Sequence, residues 1–398
     1  MRWWSGLVLG AALALVPLAD AAQAASEAPG AAPAWDLRAG QALALLDARW
    51  WRENLGPEGD WERAGGWQRF VLADVLMAYR ARTGDTRWDT RIHAALRNHS
   101  RLALNDDALW AVIASVDGWQ MERDPALLDY AARTFAELVR SHWDGTCGGG
   151  MWWNPRHTYK NAITNELLLT AATRLYRATG QEEYRAWALR TWGWLGASGM
   201  IGADGLVNDG LVIDAKTGIC RNNGQPRWTY NQGVLLSGLS DLTEMTGAPI
   251  YRARAVATAR SALATLAHPD GTLREPVPEI GADGLAFKGI FAFHLAYLMD
   301  ALPEGPDKQA LREAARRNAE AIWRISSQGE EPIDSDWIGG KGQYGAAAQM
   351  SGAAMLLAGG VKRLGRQTGR GQGRWYRPLP CVSLSRGRGP ARRRPRAA

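Results

Sequence analysis

The sequence predicts an all-α fold, an (α/α)6 barrel of six helical hairpins. Helical periodicity dominates residues 37–358, with no convincing run of alternating strands. The helices come in pairs joined by short turns: Thr83-Gly84-Asp85, Thr179-Gly180-Gln181, Thr246-Gly247-Ala248 and Pro303-Glu304-Gly305. Glycine just past a helix accepts the left-handed cap conformation at little cost. Longer loops separate the pairs, at 142–160, 197–229 and 268–286. Short turns at one end and long loops at the other suit a closed ring whose function sits on the long-loop side. An open solenoid of hairpins is the alternative, but its repeats should be more regular in length.

In chain order, residues 1–24 read as a secretory signal peptide. Arg2 gives the positive end, Trp3 to Leu18 the apolar stretch, and Ala22-Gln23-Ala24 the small-residue cleavage site. Residues 25–36 are Ala/Pro/Gly-rich and read as a linker. Helices are expected at 37–54, 67–83, 87–100, 105–120, 124–140, 161–179, 181–196, 230–246, 249–267, 287–300, 307–326 and 343–358. The segments RLYRATGQEEYRAWA and DLTEMTGAPIYRARA look like copies of one helix–turn–helix unit. The barrel is expected to fill 37–361. Residues 362–398 are Arg/Gly/Pro-rich without periodicity and read as a disordered basic tail.

The net charge of +7 comes from that tail, which holds eleven Arg, one Lys and no acidic residue. Residues 26–361 carry 34 basic against 39 acidic residues. A mildly acidic globular part offers no footprint for nucleic acid. No stretch after the signal is long and apolar enough to span a membrane. Export would permit a Cys147–Cys220 disulfide and leave Cys381 over. A monomer, secreted or periplasmic, is expected.

The sharpest acidic feature is Asn105-Asp106-Asp107, at the start of the fourth helix. Neighbouring carboxylates can flank one reacting carbon, as a retaining glycosidase requires, and like charges push one pKa up. The same residues also fit an ordinary helix cap. The second feature runs from Gly148 to Tyr176: three glycines, Trp152 and Trp153, then Asn154, Tyr159, Lys160, Asn161, Asn165 and Glu166. Indoles with amides and a lysine suit a sugar-binding wall, and equally a tryptophan-rich core with a capped helix. Asp209 lies in a Gly/Asn/Asp loop, Tyr230 and Asn231 enter the eighth helix, and Lys288 enters the tenth. There is no HExxH, no GxGxxG after a strand, no GxxxxGK[ST] and no GxSxG. No cofactor or metal is expected.

Taken together, these pieces resemble glycoside hydrolase family 76, the endo-α-1,6-mannanases. The matching pieces are Asp106-Asp107…Trp110, Gly149 to Trp153, Tyr159 to Asn165, Gly205 to Gly210, Thr229 to Gly233 and Phe287 to Phe291, in that order. The resemblance implies an (α/α)6 barrel that cleaves α-1,6-linked mannan with retention. It makes Asp106 the nucleophile and Asp107 the general acid/base. It places Trp152, Trp153, Asn154, Lys160, Asn161, Asn165, Asp209, Tyr230, Asn231 and Lys288 along the cleft. Two departures stand out: Leu104-Asn105 precede the aspartates where aromatic residues are common, and Glu166 stands where small residues are common. A transglycosylase on the same scaffold and a non-catalytic mannan-binding protein are the alternatives. An enzyme for acidic sugars would want a more basic cleft.

Overall fold

The computed structural model describes residues 34–361, apart from 65, 101, 215 and 341. The expected signal peptide, most of the expected linker, the basic tail and Cys381 lie outside the described residues. Among the described residues are twelve α-helices: α1 (Ala34–Trp50), α2 (Gln68–Thr83), α3 (Asp89–Arg97), α4 (Asp106–Glu122), α5 (Pro125–His142), α6 (Ala162–Thr179), α7 (Glu182–Ala197), α8 (Thr229–Thr246), α9 (Pro249–Thr265), α10 (Gly281–Ala301), α11 (Pro306–Ile325) and α12 (Ala346–Gly359).

The even-numbered helices form an inner ring. Each packs on the next, and α12 returns to α2 to close it. The odd-numbered helices pack outside. The expected (α/α)6 barrel is thus the observed fold. Five hairpins are consecutive in the chain, and the sixth is made in space by the last helix, α12, and the first, α1. Burial explains the two helix types. α12 is buried along its whole length, and α6 from Ala162 through Leu175. A helix apolar all round needs neighbours on every side. The outer α5 buries only Leu127, Ala131, Phe135, Leu138, Val139 and His142, one stripe at helical spacing.

The turns behave as their glycines predict. Gly84, Gly180 and Gly247 sit at φ +77°, +72° and +74°, and their N–H groups donate to Arg80, Tyr176 and Thr243 carbonyls. Two other glycines set how closely the inner helices approach. A Cβ at Gly233 on α8 would lie 2.6 Å from the Phe291 Cα on α10, and one at Gly289 on α10 would strike the Ser351 backbone on α12.

Some boundaries differ from expectation. Helix α1 already includes Ala34 to Asp36, inside the expected linker, where Asp36 makes a buried ion pair with Arg82 at 2.5 Å. Arg82 also donates to the Leu357 carbonyl at 2.7 Å and to that of Gly360, so one side chain joins α1, α2 and the end of α12. Helix α1 stops at Trp50, and β1 (Trp51–Arg52) pairs with β2 (Asp60–Trp61). Helix α10 begins at Gly281, earlier than its glycine-rich start suggests. A second small sheet runs β3 (Lys160–Asn161), β4 (Gly210–Ile213), β5 (Cys220–Asn222), all antiparallel. These strands are too short to show alternation.

The inner helices carry a few buried polar groups at mid-length, such as the Ser237–His294 hydrogen bond, but their ion pairs gather toward one end. Toward their C-termini, Arg174 of α6 pairs with Asp117 of α4 and lies 3.9 Å from Asp241 of α8. Arg177 bonds Asp241 at 2.8 Å and the Tyr297 hydroxyl of α10 at 2.6 Å. The long loops and the N-termini lie at the other end.

Gly233→Ala tests the inner-ring spacing. Helix propensity alone would favour alanine by about 1 kcal/mol. The obstacle is backbone and cannot swing aside, so overpacking wins and the variant should lose about 1–3 kcal/mol in denaturant unfolding.

Candidate active site

The site is built where the inner helices begin. Asn105 caps α4: its Oδ1 accepts the Asp107 N–H at 3.1 Å. Capping is therefore done before the aspartates are reached. Asp106 is half-buried with Oδ1 fully enclosed and without a hydrogen-bond partner. Burial, with the neighbouring Asp107 charge and Asp283, raises its pKa to about 7. Burial and Asp283 raise Asp107 to about 6. The Trp153 indole faces Asp106. Asp283 accepts from Trp67 Nε1 at 3.3 Å, and Trp67 stacks on Trp110 with centroids 5.7 Å apart.

The stretch from Gly149 to Asn165 divides into one contact with the site and much support. Trp153 is 40% exposed and stands at the cleft. Trp152 is buried and donates to Asp144 Oδ2 at 2.9 Å. Lys160 lies over the Trp152 ring at 4.5 Å. Its Nζ donates to Asp144 Oδ1 at 2.9 Å and to the Thr146 and Gly149 carbonyls at 2.8 and 2.6 Å. An ammonium has three protons, and all three are spent inside this loop. Asn165 accepts the Met151 N–H at 2.7 Å and donates to the Met151 and Asn161 carbonyls at 3.1 and 2.9 Å, pinning the glycine-rich loop to α6. Asn161 caps α6 through Thr164 N–H at 3.4 Å. Asn154 folds its own exposed turn through Arg156 and Thr158. The geometry thus gives Trp152, Asn154, Lys160, Asn161 and Asn165 positioning work behind the wall.

The opposite side comes from the 198–228 loop and α8. Asp209 accepts from the Tyr159 hydroxyl at 2.5 Å, and Asn223 donates to that hydroxyl at 2.9 Å. Burial raises the Asp209 pKa, while Tyr159 and Asn231 lower it. A side chain at Gly210 would collide with the Tyr159 ring, so glycine there is what admits the phenol. Tyr230 stacks flat on Phe287, 3.9 Å between centroids at 7°. Burial and the surrounding Asp209, Asp106, Glu166 and Tyr159 hold its phenol well above its usual pKa. Lys288 is buried away from the cleft opening: Nζ donates to the Leu273 and Asp336 carbonyls, both at 3.2 Å, and sits 4.1 Å over Trp337. Cys147 and Cys220 form a disulfide with Cα atoms 5.6 Å apart, tying the two long loops together.

The structure therefore brings Asp106, Asp107, Trp153, Asp209, Tyr230 and Asn231 together. Sequence reasoning left out Tyr159, Glu166 and Asp283 as site residues. Glu166 and Asp283 carried a signal: each is an acid in the first turns of an inner helix that is otherwise largely apolar. No group of three or more His, Cys, Asp or Glu among the described residues is arranged to hold a metal.

Raised carboxyl pKa values oppose stability. With the folded pKa above the unfolded one, the folded state holds more protons between pH 4 and 7, so stability falls as pH rises through that window. Asp106→Asn should remove this penalty. The variant should unfold later than wild type above pH 7, on the order of 2 kcal/mol, with the advantage fading toward pH 4. Chemical denaturation at pH 4.5 and 7.5 checks it.

The profile of glycosyl hydrolase family 76 matches residues 49–364. A mannan endo-1,6-alpha-mannosidase of Saccharomyces cerevisiae is 29% identical over 282 residues, 65% of this chain and 61% of the relative. One from Candida albicans is 32% identical over 214 residues, 47% of this chain and 45% of the relative. The chain thus spans less than two thirds of the length of these two relatives. The GH76A alpha-1,6-mannanase of Salegentibacter sp. HEL1_6 superposes with a TM-score of 0.71 at 23% identity, covering 82% of this chain and 98% of that one. An inactive variant of the same enzyme, with two consecutive aspartates changed to asparagine, is known in complex with alpha-1,6-mannotriose. On the family profile, which spans most of the sequence, this chain belongs to glycosyl hydrolase family 76.

Proposed function

We propose that the chain is a secreted, retaining glycosidase that cuts α-1,6-mannosidic bonds in mannan. The observation that carries this reading is the Asp106–Asp107 pair, released from capping by Asn105 and pushed up to about 7 and about 6. Acids placed only to complement a helix start would ionise more readily than free aspartate, not less. The adjacent aspartates changed in the inactive Salegentibacter variant, and the names of the yeast relatives, support the reading. Secretion is supported by the 1–24 signal pattern and the Cys147–Cys220 disulfide, which forms in oxidising compartments.

Interacting carboxyls titrate as a pair. Between about pH 6 and 7 this pair holds one proton, giving one carboxylate and one acid, the state that retention requires. In the first step the Asp106 carboxylate attacks the anomeric carbon. The bond to the leaving O6 breaks, and that oxygen takes the Asp107 proton. In the second step the Asp107 carboxylate removes a proton from water. The water oxygen attacks the anomeric carbon, and Asp106 leaves as a carboxylate. In the empty cleft the more enclosed Asp106 holds the proton more tightly. The cycle needs it on Asp107 when sugar is bound, so sugar binding must favour charge on Asp106.

The first test is hydrolysis of unbranched α-1,6-mannan by the mature chain, with anomeric NMR of the products. Release of the α-anomer supports the reading, and β-anomer release or no turnover sinks it. The kcat/KM profile, which reports the ligand-free pair, should be a bell peaking between about pH 6 and 7. Azide assigns the two roles. Asp106→Ala with azide should give the β-glycosyl azide by one inversion, and Asp107→Ala the α-azide by two. The opposite pattern would exchange the roles.

A further inference from the structure

Helix α6 carries a buried acid that the two-step chemistry does not use. Glu166 is fully buried, one turn in from the start of α6. Neither carboxyl oxygen has a hydrogen-bond partner. Asn165 is engaged with Met151, Thr170 with the Glu166 carbonyl and Thr173 with Asp241, whereas the buried Thr164 hydroxyl, like Glu166, makes no hydrogen bond. The two titratable groups linked electrostatically to Glu166, Asp209 and Tyr230, belong to the site. Asp209 acts on it from the β4 side. Tyr230, on α8, is influenced by Glu166, Asp209, Asp106 and Tyr159 together. Beside Tyr230 stands Asn231, also fully buried. Its amide faces Asp209, yet neither of its polar atoms makes a hydrogen bond of ordinary geometry.

A carboxylate at Glu166 would be buried, unpaired and near a second carboxylate, so the group stays neutral. A neutral acid offers one donor and one acceptor, and so does a primary amide. A sugar hydroxyl gives one hydrogen bond and takes others, which matches both. An ionised acid could only accept. An unsatisfied buried pair weakens a fold and is the kind of local cost that functional sites carry.

We infer that Glu166 is a substrate-positioning residue: as a neutral acid in the group with Asp209 and Tyr230, it takes a hydroxyl of the sugar seated over Asp106. This rests on the mannanase reading above. The departure from small residues at this position thus fixes the orientation of that sugar.

The test compares Glu166→Met, Glu166→Ala and Glu166→Gln with wild type on α-1,6-mannotetraose, reading kcat/KM and Tm. Methionine fills the site without polar atoms. Its Tm should equal or exceed that of wild type while kcat/KM falls by about tenfold or more, because a hydroxyl then loses its partner. Alanine should lose activity to a similar degree. Glutamine keeps a donor and an acceptor and should stay within about threefold of wild type. Full activity in the methionine or alanine variant overturns the inference, since Glu166 would then be only core. So does an inactive, folded glutamine variant, since the acid would then be needed for its proton. If the methionine variant does not fold, the glutamine and alanine arms still decide. A wild-type chain that leaves mannotetraose uncut overturns the mannanase reading, and this inference with it.

Discussion

Closure of the inner ring is the constraint on which the rest of this structure depends. Six helices must each be buried on nearly all sides, so their ion pairs gather toward one end. Toward the C-termini, Arg174 and Arg177 join Asp117, Asp241 and Tyr297 across four helices. At the N-termini the long loops supply the remaining wall. The ring closes because Arg82 binds Asp36 and the carbonyls at the end of α12 together. The first and last helices thereby become one hairpin. Gly233 and Gly289 set how closely α8, α10 and α12 approach.

That arrangement explains the electrostatics of the site. Helix N-termini converge on it, and each favours negative charge by roughly 0.3–1 kcal/mol. Yet the Asp106 carboxyl is pushed up to about 7. Enclosure and the neighbouring carboxyl therefore outweigh the dipoles. Backbone hydrogen bonds, and for Asp106 the Trp153 indole, limit the rise. Charge stored under these conditions is a stability cost, borne by a barrel with a large apolar core.

The loops show how few contacts hold the wall of the candidate cleft. Lys160 gathers Asp144, Thr146 and Gly149, and Asn165 grips Met151. The β3–β4–β5 sheet and the Cys147–Cys220 disulfide join the 143–161 loop to the 198–228 loop. Trp153 is thereby held against Asp106 while Asp209 and Tyr159 are held opposite. Lys288 does for the 266–280 and 326–345 loops what Lys160 does for the first, through Leu273 and Asp336. The two lysines that read as cleft cations are loop anchors, because buried carbonyls offered each ammonium its hydrogen bonds.

The sequence by itself determined the all-α class, the twelve helices and the end of the barrel that carries the long loops. Period, turn glycines and loop lengths are local properties, written in neighbouring residues. It also singled out the Asp106–Asp107 pair. Only the tertiary structure placed Ala34 to Asp36 in α1, where Asp36 is held by an arginine 46 positions away. It likewise decided that Asn105 takes the cap, leaving the aspartates free of that duty. It sorted the motif residues into a wall, with Trp153, Asp209, Tyr230 and Asn231, and its anchors, with Trp152, Asn154, Lys160, Asn161, Asn165 and Lys288. And it placed Glu166 beneath the site without a partner. A side chain's chemistry is fixed by its type, but whether that chemistry is spent on the fold or kept for a ligand depends on what the folded chain sets beside it.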